Sequence, residues 1–309
     1  MAAMDDLHPL AVDLNPATPP PRAAAFDAQR AVPDQLAPPT PLVFASPHSG
    51  RVYPDEMMSA TALDAFAIRR SEDAFVDELI ATAPALGAAT LTARFARTYI
   101  DLNREPFELD PAMFADELPA FARSRTARVA AGLGAIARVV SEGQEIYHRK
   151  LTYAEAHARI EAAHRPYHLA LQALIAEAHA AHGFAILLDW HSMPAAAARG
   201  AGRDGACDIV LGDRYGAACA PLVTRRVELE LQALGCRVGR NTPYAGGYTT
   251  EHYGRPDRHV HALQIEINRG LYLDEVTLNR TAGFGPLKAL IEDVTRALVV
   301  TDWSPLKAG

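Results

Sequence analysis

Two histidines stand directly after short apolar runs, His48 in Pro47-His-Ser-Gly50 and His191 in Asp189-Trp-His-Ser192. Imidazoles delivered by two strand ends, joined by one carboxylate, make a three-ligand metal site that leaves a fourth position to water. A free carboxylate nearby would complete a hydrolase: the ion acidifies the water, and the carboxylate takes its proton and hands it to a departing amine. Glu266 is the candidate base. In Leu263-Gln-Ile-Glu-Ile-Asn268, strict alternation puts Gln264, Glu266 and Asn268 on one face of a strand and the aliphatic residues on the other. For the third ligand both Glu72 and Asp73 are open, and acids in the first turn of a helix are favoured by its dipole whether or not a metal is present. Arg104 and Arg269 each follow an Asn near a strand end, and a guanidinium is suited to gripping a carboxylate with two hydrogen bonds. Asn103, Asn241 and Arg269 complete the expectation as substrate-binding residues.

These side chains need elements to position them. Pro41-Leu-Val-Phe-Ala-Ser46 reads as a buried strand emptying into the His48 loop, and Phe184–Asp189 as a central parallel strand carrying His191 at its carboxyl end. Further strands are expected at 88–93, 98–102, 208–211 and 261–267. Ser71 followed by Glu72 and Asp73 reads as a helix start. Residues 126–182 read as two or more helices interrupted near Gly143 and Pro166, with others over about 215–234 and 276–299. Strands alternating with helices predict an α/β fold, a mostly parallel mixed sheet covered by helices on both faces, and ligands gather outside the carboxyl ends of such strands. Residues 1–40, dense in proline, read as an extended arm ahead of a single α/β domain over 41–309.

Composition narrows the classes of function. A net charge of −7 argues against a surface that tracks nucleic-acid phosphates, and no apolar run approaches the roughly 18 residues of a membrane span. A basic-then-apolar leader pattern is not seen, so the expectation is a cytoplasmic protein. Three cysteines without C-x-x-C spacing suggest neither a disulfide framework nor a cysteine zinc site. No G-x-S-x-G elbow surrounds Ser49 or Ser192, and no phosphate-binding loop is found. His179 and His182 read as solvent-facing at a helix end, and His164 and His168 lack the intervening Glu of an H-E-x-x-H motif.

Taken in order, Pro47-His-Ser-Gly50, Ser71-Glu-Asp73, Tyr99-Ile-Asp-Leu-Asn-Arg104, Asp189-Trp-His-Ser192, Asp208-Ile-Val-Leu-Gly212, Gly246-Gly-Tyr-Thr-Thr-Glu-His-Tyr-Gly254 and Leu263-Gln-Ile-Glu266 resemble the N-formylglutamate amidohydrolases over roughly residues 40–298. The resemblance implies a three-layer fold like that of the zinc carboxypeptidases and deacylases, a single Zn2+ and an N-acyl amino acid substrate, foremost N-formyl-L-glutamate. It further implies metal binding by His48, Asp73 and His191, catalysis by Glu266 and an Arg104 that stabilises the oxyanion. Carboxypeptidases carry their acidic ligand three residues after the first His, where this chain has Arg51, so the acid must come from elsewhere; Asp73 is the choice over Glu72. After the catalytic Glu this chain reads Ile267-Asn-Arg269, a departure that bears on acyl-amino-acid specificity. Rival readings are an amidase of the same fold on another N-acyl amino acid or a peptidoglycan stem, and a binding protein that kept the scaffold.

Overall fold

The computed structural model describes residues 24–31, 39–140, 143–199 and 206–307. Strands β1 (Phe26–Gln29), β2 (Leu42–Ser46), β3 (Ala89–Ala93), β4 (Ala185–Met193), β5 (Ile209–Gly212), β6 (Val238–Arg240) and β7 (Val260–Asn268) form a seven-stranded sheet in the order β1-β3-β2-β4-β7-β5-β6. The central strands β3, β2, β4 and β7 run parallel, β1 is antiparallel to β3, and β5 is antiparallel to β7 with β6 parallel to β5. This is the expected mixed α/β sheet. Every residue of β2, β4 and β7 is buried, as strands covered on both faces must be.

Five helices matter for that cover: α1 (Tyr153–Arg159), α2 (Arg165–His182), α3 (Pro221–Ala233), α4 (Tyr248–Tyr253) and α5 (Phe284–Val299). Alternation along the strands divides the core between two faces. Val43, Ala45, Leu187 and Ala262 pack with Tyr167, Leu171 and Leu174 of α2. Phe44, Ile186, Leu188, Trp190, Ile265 and Ile267 pack with Val223 and Leu231 of α3 and Leu287, Ile291 and Leu298 of α5. Each fully buried Val, Leu, Ile or Phe side chain among them contributes roughly 1.5–3 kcal/mol of transfer free energy. Gly183, in the left-handed region at φ 81°, ends α2 and turns the chain into β4.

Several elements differ from the sequence reading. Phe26–Gln29, inside the segment read as an arm, pairs with β3 and extends the sheet edge; most of that proline-dense segment lies outside the described residues. Residues 98–102 form turns rather than a strand, because Tyr99, Ile100 and Leu102 bury themselves in the core without a ladder partner. In the region read as helical from 126, Ala127–Ala130 is the only α-helix among the described residues before α1; Ile136, Val140 and Ile146 reach the core from irregular chain, so their apolar spacing mimics a helix. Pro166 does not interrupt. A wide helical turn, Ile160–His164, joins α1 to α2 and relieves the clash a proline ring makes with the preceding turn. The C-terminal helix begins at Phe284, after a two-stranded hairpin of Leu273–Asp274 with Asn279–Arg280. Among the described residues no helix is long and apolar enough to cross a membrane, and the three cysteines are free.

Candidate metal centre and active site

β4 and β7 lie side by side with Asp189 beside Gln264 and His191 beside Glu266. On the face shared with α2, both strands change from apolar residues (Leu187, Ala262) to these polar ones toward their carboxyl ends. The alternation read in the sequence therefore lines a site instead of a solvated surface. His48 arrives from the neighbouring β2 through Pro47, and the chain after it is pressed against the loop following β3: a Cβ on Gly50 would stand 2.1 Å from the Phe95 carbonyl oxygen. Asp73 comes from the segment before the helical turn Val76–Leu79, with its amide donating to the His48 carbonyl at 3.0 Å.

Three ligand atoms converge. His48 Nδ1 and His191 Nδ1 are 3.1 Å apart, and Asp73 Oδ2 lies 3.4 Å from the first and 3.1 Å from the second. A tetrahedral ion with bonds of about 2.0–2.1 Å has ligand-to-ligand edges of about 3.3–3.4 Å, so the triangle has the size of one tetrahedral face. All three residues are buried, and they form a group able to hold a metal ion. The opposite nitrogens are anchored by carboxylates: His48 Nε2 donates to Asp101 Oδ1 at 2.6 Å, and His191 Nε2 to Asp189 Oδ2 at 2.9 Å. That pattern puts the protons on Nε2 and turns both Nδ1 lone pairs inward, the usual support of a metal-binding imidazole.

Electrostatics agree with a cation-ready site. Burial opposes charge on Asp73, yet its imidazole neighbours His191 and His48 and the nearby Arg269 hold its carboxyl well below the usual carboxylate range. Asp101 is held low in the same way, against burial, by His48, Arg97 and Arg104. Glu266 behaves oppositely: burial, aided by the Asp73 charge, pushes its carboxyl up to about 7. Its Oε1 accepts from Gln264 Nε2 at 2.7 Å, and Gln264 Oε1 in turn accepts from the Gly247 amide at 2.8 Å. Gly247 is required there, because a Cβ would come within 2.4 Å of Asn103 Nδ2.

The other expected site residues separate. Glu72 is not a neighbour of the histidines; its carboxylate is taken by Tyr53 and Arg69. It and Asp73 lie ahead of the short helical turn, with Glu72 in extended backbone, so the helix-dipole explanation for the acids falls away. Arg104 borders the cavity and donates from Nε to the Leu133 carbonyl and from Nη1 to that of Asn103. Asn103 touches the site, its Nδ2 3.3 Å from His191 Nε2 and its Oδ1 accepting from the Thr249 amide. Arg269 grips Asp73 Oδ1 at 2.8 Å and Ser192 Oγ at 3.0 Å, which makes it a brace for the metal-facing carboxylate. Asn241 is a correction: its side chain is consumed by the Asp213 and Tyr215 amides and the Asp213 carboxylate, and it does not line the cavity.

Residues not singled out in the sequence surround the group. Arg97 lines the cavity, donates to Asp101 Oδ2 at 2.8 Å and lies within electrostatic reach of Asp73 and Glu266. Asp189 shares the alternating face of its neighbour His191, a period-2 signal that could have found it, as it found Gln264 beside Glu266; Arg97 and Asp101 sit in irregular chain where spacing carries no such signal. His164 and His168 donate to the Arg104 and Leu102 carbonyls at 2.9 and 2.8 Å and clamp the Asn103 loop from behind. The cavity over the triangle encloses about 660 Å³, a size suited to a small molecule, and among the described residues five arginines (Arg70, Arg97, Arg104, Arg128 and Arg269) stand in its wall.

Comparison with known proteins agrees with this chemistry. Residues 40–273 match the sequence profile of the family described as N-formylglutamate amidohydrolase. The chain is 30% identical over 263 residues to the N-formylglutamate deformylase of Pseudomonas aeruginosa, spanning 84% of this chain and 90% of that protein. It is 28% identical over 239 residues to the N-formylglutamate deformylase of Pseudomonas putida, spanning 76% and 82%. The crystal structure of N-formylglutamate amidohydrolase from Ralstonia eutropha JMP134 matches with a TM-score of 0.83 at 36% identity, covering 90% of this chain and 98% of that one. The gene product Atu2144 from Agrobacterium tumefaciens shares the fold, with a TM-score of 0.61 at 17% identity, covering 89% and 94%.

Proposed function

Because this chain belongs to the N-formylglutamate amidohydrolase family, we propose that it hydrolyses N-formyl-L-glutamate to formate and L-glutamate, with one zinc ion held by His48, Asp73 and His191. The observation that carries the reading is the buried Nδ1, Nδ1, Oδ2 triangle with edges of 3.1–3.4 Å, set beside a buried carboxyl raised to about 7. Two nitrogens and one oxygen on a small triangle suit zinc, which when bound supplies a Lewis acid that polarises the formyl carbonyl and acidifies water.

The chain's own residues do the rest. Glu266 takes a proton from the attacking water and returns it to the amide nitrogen as the C–N bond breaks, and a carboxyl near neutral pKa can serve in both directions. Gln264 fixes the orientation of that carboxylate through one hydrogen bond. Arg97, within reach of Asp73 and Glu266, is a second cation for the negative charge that develops on the formyl oxygen. Arg104, with its Nε and Nη1 tied to carbonyls, is better suited to the substrate α-carboxylate than to the oxyanion role its motif suggested. Asn103 holds the start of α4 behind the glycine loop by accepting from the Thr249 amide.

Steady-state formate release on metal-replete protein tests the assignment. Glu266→Gln lowers kcat by about 10²–10⁴-fold with metal content unchanged, the range for a lost general base. His48→Ala loses both metal and activity. Wild-type rates in either variant overturn the mechanism.

A further inference from the structure

Four of the cavity arginines differ in exposure and in partner, and their differences sort them by task. Side-chain exposure is 9% for Arg269, 13% for Arg104, 22% for Arg97 and 35% for Arg128, so Arg128 is the most open of the four. Arg269 and Arg97 are each hydrogen-bonded to a carboxylate, Asp73 and Asp101 respectively. Arg104 and Arg128 are not: among the described residues the carboxylates nearest to them are Asp101 at 4.0 Å and Glu108 at 3.9 Å, beyond hydrogen-bond distance. Glu108 is itself engaged by the Thr126 hydroxyl.

These two guanidiniums share one braced wall. Arg104 Nε donates to the Leu133 carbonyl at 2.9 Å, and the Leu133 amide donates to the Arg128 carbonyl at 2.8 Å, so the short helix bearing Arg128 is tied to the Arg104 side chain. Burial lowers the pKa of Arg104; the Asp101 charge opposes that, and the positive charges of Arg97 and Arg128 add to it, so several guanidiniums share this wall. A dianion relieves that repulsion by giving each guanidinium its own carboxylate.

We infer that Arg128 is the specificity-determining residue that receives the side-chain carboxylate of an N-formyl dicarboxylic amino acid, with Arg104 taking the α-carboxylate. This rests on the deformylase reading above and adds the residue that makes the substrate acidic. With the formyl group at the histidines, the α-carboxylate meets the more buried arginine and the side-chain carboxylate the more open one. An N-formyl amino acid with a neutral side chain leaves Arg128 without an anion.

The test compares wild type, Arg128→Gln and Arg128→Lys on N-formyl-L-glutamate and on its near-isosteric amide, N-formyl-L-glutamine. Wild type prefers the acid. In Arg128→Gln the KM for N-formylglutamate rises about ten- to a hundredfold, the loss of one charge-assisted contact. Its kcat stays within a few-fold, its KM for N-formylglutamine is unchanged, and Arg128→Lys recovers part of the difference. An unchanged KM for the acid, an equal loss on both substrates, or loss of discrimination in Arg70→Gln but not in Arg128→Gln overturns the inference. Calorimetric binding of glutarate gives a readout that needs no turnover: about tenfold weaker binding in Arg128→Gln supports the subsite, and equal binding overturns it. A wild-type protein that releases no formate from any substrate refutes the deformylase reading instead, while the glutarate result still decides the subsite.

Discussion

Asp189→Asn isolates the support behind one metal-facing histidine. Asp189 is fully buried in β4, its Oδ2 accepts from His191 Nε2 at 2.9 Å, and its Oδ1 has no hydrogen-bond partner among the described residues. An amide keeps the shape and can still accept that hydrogen bond, but it carries no charge, so His191 Nδ1 becomes a poorer donor to a cation. Losing such a carboxylate typically costs about 10–100-fold in metal affinity, or about 1.4–2.7 kcal/mol. The stabilisation of the fold by saturating zinc shrinks by the same amount. The metal-free protein behaves differently. There the substitution removes a buried charge with one unpaired oxygen, so its unfolding free energy changes less than that of the loaded protein. Competition with a chromophoric chelator measures zinc affinity, and urea unfolding with and without zinc measures the two stabilities. A zinc affinity within twofold of wild type, or an equal loss of stability in both states, would show that Asp189 only fills space, and the reasoning would fail.

Other outcomes follow from the same geometry. Gly247→Ala puts a methyl group within 2.4 Å of Asn103 Nδ2 and shifts the amide that holds Gln264, so kcat drops at least tenfold while zinc content is retained; wild-type turnover in that variant would contradict the role of the glycine loop. Stability should fall as the solution is acidified from pH 6.5 toward 4, because burial lowers the pKa of His164 to about 4. The sign is fixed by proton uptake: below about 6.5 the unfolded chain gains a proton that the buried imidazole refuses, which amounts to about 1.4 kcal/mol per pH unit, on the order of 3 kcal/mol in all. His164→Gln, whose amide can still donate to the Arg104 carbonyl, should flatten that part of the urea-midpoint profile; an unchanged slope would assign the acid sensitivity elsewhere.

How much of this was legible in the sequence depends on whether periodicity survives locally. β4 and β7 were readable because long apolar runs and strict alternation coincide with real strands, and the polar alternate residues of β7 do line the site. The same alternation, carried back two residues from His191, would have pointed to Asp189. Asp73 could not be chosen over Glu72 from local pattern, since both acids precede a helical turn and only the tertiary path past the His48 carbonyl brings one of them to the histidines. Arg97, Asp101 and Arg128 sit in irregular or barely helical chain, where contacts are set by the packing of residues far apart in sequence. The apolar residues of 131–150 misled for the same reason: Ile136, Val140 and Ile146 are buried through turns, and a helical period can arise from a loop that drops side chains into a core at intervals.

The central claim is that His48, Asp73 and His191 hold one zinc ion on which formate release from N-formyl-L-glutamate depends. Metal analysis of the purified chain coupled to formate release, before and after chelation, tests it most directly. The account predicts one zinc per chain, loss of activity on chelation, recovery on adding zinc back, and neither zinc nor activity in His191→Ala. Full formate release from protein stripped of metal would contradict it.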